Sequence, residues 1–488
     1  MNPNASLAAL RERYGPRYRW LLLVSLMVGT MASIMSSTVV NVAIPGLSHH
    51  FGIGQGQAQW VSSGFMVAMT ASMLTTPWLL GRFGYRNVYA ATMLLLMAGG
   101  IVGGIASTYS LVLGARVAEG LAAGIVQPIP AIVIMRAFGS DERGRASGLF
   151  GMGVVLAPAI GPSIGGVLVD LFGWRSIFFM VVPLCLLSLA LAFRFVPDTA
   201  PGGEAAGRSS ALDWRGLALG SVGTLCLLNG LVEIRSGGAT AWLLLAGALL
   251  AVAAFIFWQR RQLATGREPL MNLRLFGYRS FAMGSIVAFI YGTALFGSTY
   301  LLPMYMQVAL GLSASYVGTI LLPAGIVLAF TIPLAGRLAD KQPPYVLVSA
   351  GLGLLALSFA LMVTVQSGQQ IALLIAWAVL GRIGLGFVLS SLNLGSMRAL
   401  GKELITYGAS TINFVRMLGG ACGVSLCGIV LEWRIAAHGD SLAVAATSPA
   451  RLAAFHETFW MLAALCGLAL VAAWQLRERP QLLDTARN

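Results

Sequence analysis

Long apolar runs are the feature of this sequence that most constrains its fold. A helix needs about 20 mostly apolar residues to cross a bilayer, and charged or Gly/Pro-rich breaks divide the chain into fourteen runs of roughly that length. The first seven runs are 20–45, 58–80, 87–106, 109–135, 146–170, 175–196 and 214–233. The second seven are 240–258, 281–308, 314–336, 345–365, 370–397, 406–432 and 456–475. The runs lack the two-residue alternation of β-barrel strands, so we expect an all-α polytopic membrane protein with fourteen transmembrane helices.

The composition excludes an ordinary soluble domain. Only 10% of the 488 residues are charged and 57% are hydrophobic, whereas soluble domains carry about 25% charged residues. The net charge of +14 comes from short clusters of arginine between the runs, and not from a basic domain of the kind that binds nucleic acid. Most of these clusters fall at the termini and after even-numbered runs, so the positive-inside rule predicts that both termini are cytoplasmic.

Enzyme, metal and cofactor chemistry is not indicated. The five cysteines lie in apolar runs without metal-ligand spacing, so neither disulfides nor a metal site are expected. The four histidines lie in loops or at the edge of a run and have no adjacent carboxylate pair, which argues against a membrane-embedded enzyme. Nothing matches the glycine-rich loop that binds nucleotide phosphates. Because no nucleotide-binding loop is present, we predict that any work this membrane protein does is driven by an ion gradient.

A weak internal repeat suggests two related halves. WLLGRFGYR (78–86) follows the second run and GRLADK (336–341) follows the tenth. Transporters are commonly built from such halves, with a binding site near the midplane between them. The sequence predicts a six-helix bundle over 1–196, a cytoplasmic linker over 197–213, two inserted helices over 214–258, a cytoplasmic connector over 259–280 and a second six-helix bundle over 281–488.

Arg116 and Glu119 are charged residues inside the fourth run. A charge near the bilayer centre costs at least about 2.5 kcal/mol on insertion scales, so such residues indicate function by default. Three residues apart, they lie on one helical face. Three readings stay open: a structural ion pair, a proton-coupling pair and a substrate contact.

Several motifs together resemble the major facilitator superfamily, and within it the fourteen-helix multidrug:proton antiporter family. STVVNVAIP (37–45) resembles its first-span signature, Arg116-Val-Ala-Glu119-Gly120 its arginine motif, and GVVLAPAIGPSIGG (153–166) its antiporter motif. WRSIFFMVVP (174–183) and INFVRMLGG (412–420) are also typical. The resemblance covers nearly the whole chain. It implies the major facilitator fold and alternating access between the two bundles.

Three positions depart from that pattern. Ser36 stands where the first span usually carries an aspartate, Glu119 where the fourth span carries a glutamine, and Gly81 where the loop after the second span carries an aspartate. At about 1.5 Å per helical residue, Ser36, Arg116 and Glu119 lie at one depth. We expect Glu119 to have taken over the role of the missing carboxylate, with Arg116 as its proton-coupling partner.

Two further sets of residues are candidates for binding and gating. The predicted substrate-binding residues are Ser36, Asn41, Gln127, Arg382, Asn393, Asn413 and Arg416. The predicted gating residues are Gly153, Pro158, Gly161, Pro162, Gly165, Gly166, Arg337 and Asp340, with both prolines expected to interrupt their helix. Two cavity-facing arginines would favour anionic or zwitterionic substrates, although Arg416 is equally well placed to hydrogen-bond helix backbone.

The predicted function is secondary active efflux of small amphipathic compounds, exchanged for protons across the bacterial cytoplasmic (inner) membrane. Export of a lipid, a lysolipid or a specific metabolite is the alternative, and a membrane enzyme is a remote one. The lipid bilayer is the expected surrounding, and the resemblance allows for a periplasmic adaptor protein. No cofactor, metal or nucleic-acid partner is expected.

Overall fold

The computed structural model describes residues 7–199, 211–234, 238–440 and 448–477. Within these ranges every regular element is helical, which confirms the all-α prediction. Most of the predicted cytoplasmic linker, from residue 200 to 210, lies outside the described residues.

Seventeen α-helices run through the described ranges. The first nine are α1 (Leu7–Tyr14), α2 (Tyr18–Phe51), α3 (Gln55–Ser72), α4 (Thr76–Phe83), α5 (Tyr85–Ile105), α6 (Tyr109–Val126), α7 (Ile129–Ala137), α8 (Arg143–Phe172) and α9 (Ser176–Phe195). The other eight are α10 (Trp214–Glu233), α11 (Ala239–Ala264), α12 (Arg279–Met304), α13 (Ala314–Ala339), α14 (Pro344–Met362), α15 (Ile371–Met397), α16 (Lys402–Ala437) and α17 (Pro449–Trp474).

These helices match the fourteen apolar runs. A 3-10 turn at Met73–Thr75 joins α3 to α4, and a turn next to Pro128 joins α6 to α7, so each pair follows one run. Among the described residues, twelve helical segments are long and apolar enough to cross a membrane. The segments at 55–83 and 143–172 are not among those twelve. Only the short helix α1, before the first run, has no counterpart in the sequence prediction.

The order of packing follows the chain. Helices α2, α3, α5, α6, α8 and α9 pack against one another, and so do α12 to α17. Helices α10 and α11 form a hairpin whose first helix touches α3 and α16. The main contact between the two sets joins α8 to α13. The predicted division into bundles, linker, inserted helices and connector remains a prediction, and this pattern is consistent with it.

Small residues bring α6 unusually close to α3. A Cβ on Gly120 would lie 2.4 Å from the Phe65 carbonyl oxygen, and one on Gly124 would lie 2.0 Å from that of Met69. Such small-residue contacts let helix backbones approach in a membrane, where burial against lipid gives little drive for association. The close crossing places the polar residues of α6 directly against the backbone of α3.

The expectation that prolines interrupt the fifth run is wrong. Helix α8 is continuous from Arg143 to Phe172 and passes through Pro158 and Pro162. Membrane helices tolerate proline because neighbouring helices and local adjustments satisfy the freed backbone groups. Helix α8 is therefore a single uninterrupted helix along its whole length.

Candidate functional site

Ser36, Arg116 and Glu119 meet in the interior of the first set of helices. The Ser36 hydroxyl donates to Glu119 Oε2 at 3.1 Å and accepts from Arg116 Nη1 at 2.8 Å. Arg116 Nη1 also donates directly to Glu119 Oε2. The serine of α2 thus bridges the ion pair of α6. The common depth inferred from the sequence is confirmed as direct contact.

The pair is sealed from water. Arg116 is 2% exposed and Glu119 is 0% exposed. The guanidinium lies over the Phe65 ring, 4.3 Å from its centroid, and Arg116 Nε donates to the Val61 carbonyl at 3.3 Å. A desolvated cation over an aromatic face gains an attraction worth up to about 2 kcal/mol. Helix α3 therefore holds Arg116 in place through its backbone and through one ring.

Glu119 faces α5, on the other side of α6. A Cβ on Gly99 would lie 2.5 Å from Glu119 Cγ, and one on Gly100 would lie 3.6 Å from Oε1. Glu119 Oε1 and Arg116 Nη2 have no hydrogen-bond partner among the described residues. Buried polar atoms without partners are rare and call for an explanation such as a proton, a water or a catalytic role. The Glu119 carboxylate thus has one oxygen in contact with Arg116 and Ser36 and one without a partner among the described residues.

A second polar contact joins α13 to α8. Asp340, which follows α13, accepts hydrogen bonds from the backbone N–H groups of Gly144 at 2.6 Å and Arg145 at 2.9 Å. These are orphan donors of the first turn of α8, where the helix dipole favours a negative charge. Burial raises the pKa of the Asp340 carboxyl, while the two backbone donors oppose that rise. Asp340 acts as an N-cap supplied by the opposite half of the molecule.

Glycines make this crossing possible. A Cβ on Gly144 would lie 2.3 Å from the Gly336 carbonyl oxygen, and one on Gly336 would lie 2.4 Å from that of Gly144. Gly148, one turn further along α8, faces Ile332 and Pro333 at 3.0 Å. Neither Gly144 nor Gly336 is among the predicted gating residues. The Gly144-x-x-x-Gly148 spacing was the available signal, because this pattern marks close helix contacts in membranes.

The predicted gating residues of α8 mostly face α2 instead. Cβ atoms on Gly153, Gly161 and Gly165 would meet Met27, Thr38 and Val39 respectively, all on α2. Gly166 faces open space. Pro158 is exposed, and the side chain of Pro162 lies outside the described residues. Helix α8 therefore has one glycine face toward α2 and, near its start, another toward α13.

Arg337 takes no part in the contact that its neighbour Asp340 makes. Its side chain is exposed near the end of α13. In the related turn of the first half, Arg86 Nε instead donates to the Val196 carbonyl at 2.8 Å and lies 3.5 Å from Asp198 Oδ1. Asp198 follows α9, so this turn is held within its own half.

A closed cavity lies between the two halves beside the α8–α13 crossing. Its free space is about 30 Å³, which holds on the order of two water molecules. Four of the predicted substrate-binding residues line this cavity: Gln127, Asn393, Asn413 and Arg416. Its other walls are mainly apolar, including Ile134, Phe150, Val154, Leu389 and Leu394. At this end the halves are closed on each other.

Ser36 and Asn41, which are also predicted to bind substrate, lie away from this cavity. Ser36 belongs to the buried cluster with Glu119. Asn41 is exposed and accepts from the Ser62 hydroxyl at 2.7 Å, so it joins α2 to α3 and is not part of the cavity. Arg416 Nη2 donates to Asn413 Oδ1 at 2.6 Å, which is a side-chain contact and not the backbone hydrogen bond considered from the sequence.

Comparisons with known proteins agree with this architecture. The family model described as Major Facilitator Superfamily matches residues 26–424. The chain is 29% identical over 431 residues to the uncharacterised MFS-type transporter YhcA of Bacillus subtilis (strain 168), covering 86% of this chain and 78% of that protein.

Two further similarities involve proteins whose names describe an activity. The chain is 29% identical over 430 residues to a multidrug resistance protein B homolog of Mycobacterium tuberculosis (strain ATCC 25618 / H37Rv), covering 86% of this chain and 77% of that protein. The structure of the human organic anion transporter MFSD10 (TETRAN) superposes with a TM-score of 0.69 at 16% identity, covering 93% of this chain and 99% of that one. The second similarity bears on the fold alone. From the family match over most of its length and the helical architecture, the chain belongs to the major facilitator superfamily.

Proposed function

We propose that this transporter is a secondary active exporter of amphipathic compounds that exchanges its substrate for protons carried by Glu119. The observation that carries the proposal is the unsatisfied Glu119 Oε1 in a fully buried ion pair. Glu119 is the carboxylate that touches both Arg116 and Ser36. The name of the Mycobacterium relative, a multidrug resistance protein, supports the substrate class.

The chemistry of the pair supports coupling. Protonation of Glu119 would leave Arg116 as an uncompensated buried charge, and breaking a buried pair costs about 3–5 kcal/mol. That cost is relieved if α6 moves and lets water or a substrate reach the guanidinium. Proton uptake would therefore favour a different arrangement of the helices, as antiport requires.

The α8–α13 contact supports alternating access. It closes one end of the space between the halves through Asp340 and the paired glycines. Two polar contacts of the described residues at the opposite end stay within one half: Arg434 pairs with Glu457 between α16 and α17, and Arg175 donates to the Ala106 carbonyl between α9 and α5. The closed end is the one that the arginine distribution predicts to be cytoplasmic, so we assign this conformation to the outward-facing state.

Transport in proteoliposomes with an imposed pH gradient tests the coupling. Suitable probes are ethidium, naphthalene-2-sulfonate and lauroyl lysophosphatidylglycerol, which carry a cationic, an anionic and a lysolipid head. We expect Glu119→Gln to lose transport driven by the pH gradient while it keeps substrate exchange, because glutamine cannot carry the proton. Glu233→Gln, at the exposed end of α10, is the matched control. Undiminished proton-driven transport in Glu119→Gln would refute the assignment.

The same experiment distinguishes export of varied amphipathic compounds from export of a lipid, a lysolipid or a specific metabolite. Transport of the lysolipid alone would favour export of a lipid or lysolipid, and transport of none of the three would favour a specific metabolite. We propose that both termini lie on the cytoplasmic side of a bacterial inner membrane. A periplasmic adaptor remains part of the proposal, and co-purification of the native complex tests it.

A further inference from the structure

Arg382 and Arg416 are charges inside membrane-spanning helices that lack a counter-ion. No carboxylate of the described residues forms an ion pair with either guanidinium, and the Tyr291 phenol interacts electrostatically with both. The hydrogen-bond acceptor of Arg416 is the neutral side chain of Asn413. Arg116, in the other half, is neutralised by Glu119. The second half therefore carries two positive charges at a place where each one is expensive.

Tyr291, Arg382 and Arg416 lie at a similar depth along their helices. At about 1.5 Å per residue, Tyr291 lies about 18 Å from the start of α12 and Arg416 about 21 Å from the start of α16. Arg382 lies about 22 Å before the end of α15, which runs in the opposite direction. A Cβ on Gly292, next to Tyr291, would lie 2.1 Å from the Arg416 carbonyl oxygen. Helices α12 and α16 thus touch at this level.

Both arginines belong to helix faces that turn toward the other half. Arg416 lines the cavity between the halves. Arg382 lies seven and eleven residues before Leu389 and Asn393, which line the same cavity, and these spacings place all three on one stripe of α15. Neither arginine is fully buried. Arg416 therefore borders the space between the halves, and Arg382 lies on the stripe of α15 that also borders it.

We propose that Arg382 and Arg416 bind the anionic group of an amphipathic substrate, with the Tyr291 hydroxyl as a further donor. This inference rests on the proposed export function and names its substrate class. Guanidinium groups donate charge-assisted hydrogen bonds to carboxylate, sulfonate and phosphate oxygens. The apolar residues beside Arg416, including Phe150, Val154 and Leu389, would contact the apolar part of the molecule once this small cavity opens, so a free inorganic anion would make only some of these contacts. The anion supplies the counter-charge that this half lacks.

Equilibrium binding tests the site without any pH gradient, so its outcome is independent of coupling through Glu119. Calorimetry on the protein in phosphatidylcholine nanodiscs uses naphthalene-2-sulfonate as the soluble anion and lauroyl lysophosphatidylglycerol as the lipid anion. The 2-naphthyltrimethylammonium cation and inorganic phosphate are the negative probes. We expect one or both amphipathic anions to bind, and whichever binds identifies the source of the substrate.

Variants assign the binding to the two arginines. We expect Arg382→Gln and Arg416→Gln each to weaken anion binding by about tenfold or more, and Arg382→Lys and Arg416→Lys to keep most of it. Arg279→Gln, at the exposed start of α12 where Arg279 contacts Gln475, should bind like the wild type. Equal Kd values in the glutamine variants and the wild type, equally tight binding of the cation, or no binding of either amphipathic anion would overturn the proposal.

Discussion

At the scale of single residues, the position of one carboxylate separates this chain from the pattern that it resembles. Ser36 occupies the place of the first-span aspartate, and Glu119 lies 3.1 Å from its hydroxyl. The carboxylate that Ser36 contacts is therefore attached to α6. Because Ser36 both donates to Glu119 and accepts from Arg116, the serine has become part of the charge network.

Ser36→Ala should destabilise the protein because it leaves two charged partners short of a hydrogen bond in a buried site. We expect a loss of about 1–3 kcal/mol in the free energy of unfolding, measured by denaturation in mixed micelles. Ser37→Ala is the matched control, since the Ser37 hydroxyl donates to the Ile34 carbonyl within its own helix. Equal stability of the two variants would show that the Ser36 bridge contributes nothing.

At the scale of elements, α8 links two interfaces. Its early glycines contact α13 and its later ones contact α2. Since α8 is a continuous helix, one element contacts α13 at the closed end of the molecule and also contacts α2, which carries Ser36. Asp340 adds a charge–dipole attraction that exists only while the crossing is closed.

Gly336→Ala should open that crossing. The added Cβ would lie 2.4 Å from the Gly144 carbonyl oxygen, and overpacking of this kind costs about 1–3 kcal/mol. The cost falls only on the closed state, so we expect a larger population in which the start of α8 and the end of α13 are apart. Distances between spin labels at these two ends, in a background without the five native cysteines, measure that population.

Gly325→Ala is the control for this experiment. Gly325 lies on the same helix and a Cβ there meets no neighbour within 4 Å. We expect the Gly325 variant to give the wild-type distance distribution. A Gly336 variant with the same distribution as the wild type would mean that the crossing is not the closed gate.

At the scale of the whole molecule, a buried carboxylate anchors the α10–α11 hairpin. Asp213 accepts from the backbone N–H of Gly216 at 2.9 Å, from Trp258 Nε1 at 2.8 Å and from Gln259 Nε2 at 2.8 Å. Gln259 Oε1 in turn accepts from the backbone N–H of Met271 at 3.3 Å. The sequence predicts Asp213 as a helix cap, and the structure adds that the same carboxylate ties α10 to α11 and, through Gln259, to the connector that leads into α12.

Asp213→Ala should loosen the connector. Three donors lose their acceptor, and each unsatisfied buried group costs about 1–3 kcal/mol. We expect faster tryptic cleavage after Arg267 and Arg274, followed by mass spectrometry of the fragments. Asn229→Ala is the control because the Asn229 side chain donates to the Leu225 carbonyl within its own helix. Unchanged cleavage at both arginines would contradict this role for Asp213.

Much of the fold could be predicted from the sequence for a simple physical reason. A bilayer leaves no water for backbone groups, so apolar runs of sufficient length must become helices. The order and approximate positions of the helices follow, whereas the division of the second and fourth runs into two helices each and the short helix α1 do not. The cost of charge in a membrane likewise singled out Arg116, Glu119, Arg382 and Arg416. These inferences need only composition and spacing along the chain.

Only the tertiary structure could decide which side chains meet. The glycines of α8 look equivalent in the sequence, yet Gly144 faces α13 and Gly153 faces α2, because the direction of each depends on how the helices are arranged around α8. Asn41 of α2 accepts from Ser62 of α3, a contact that spacing along the chain does not reveal. Asp340 finds its partners almost two hundred residues away. Contacts of this kind depend on helix arrangement in three dimensions, and lengths and hydropathy do not encode them.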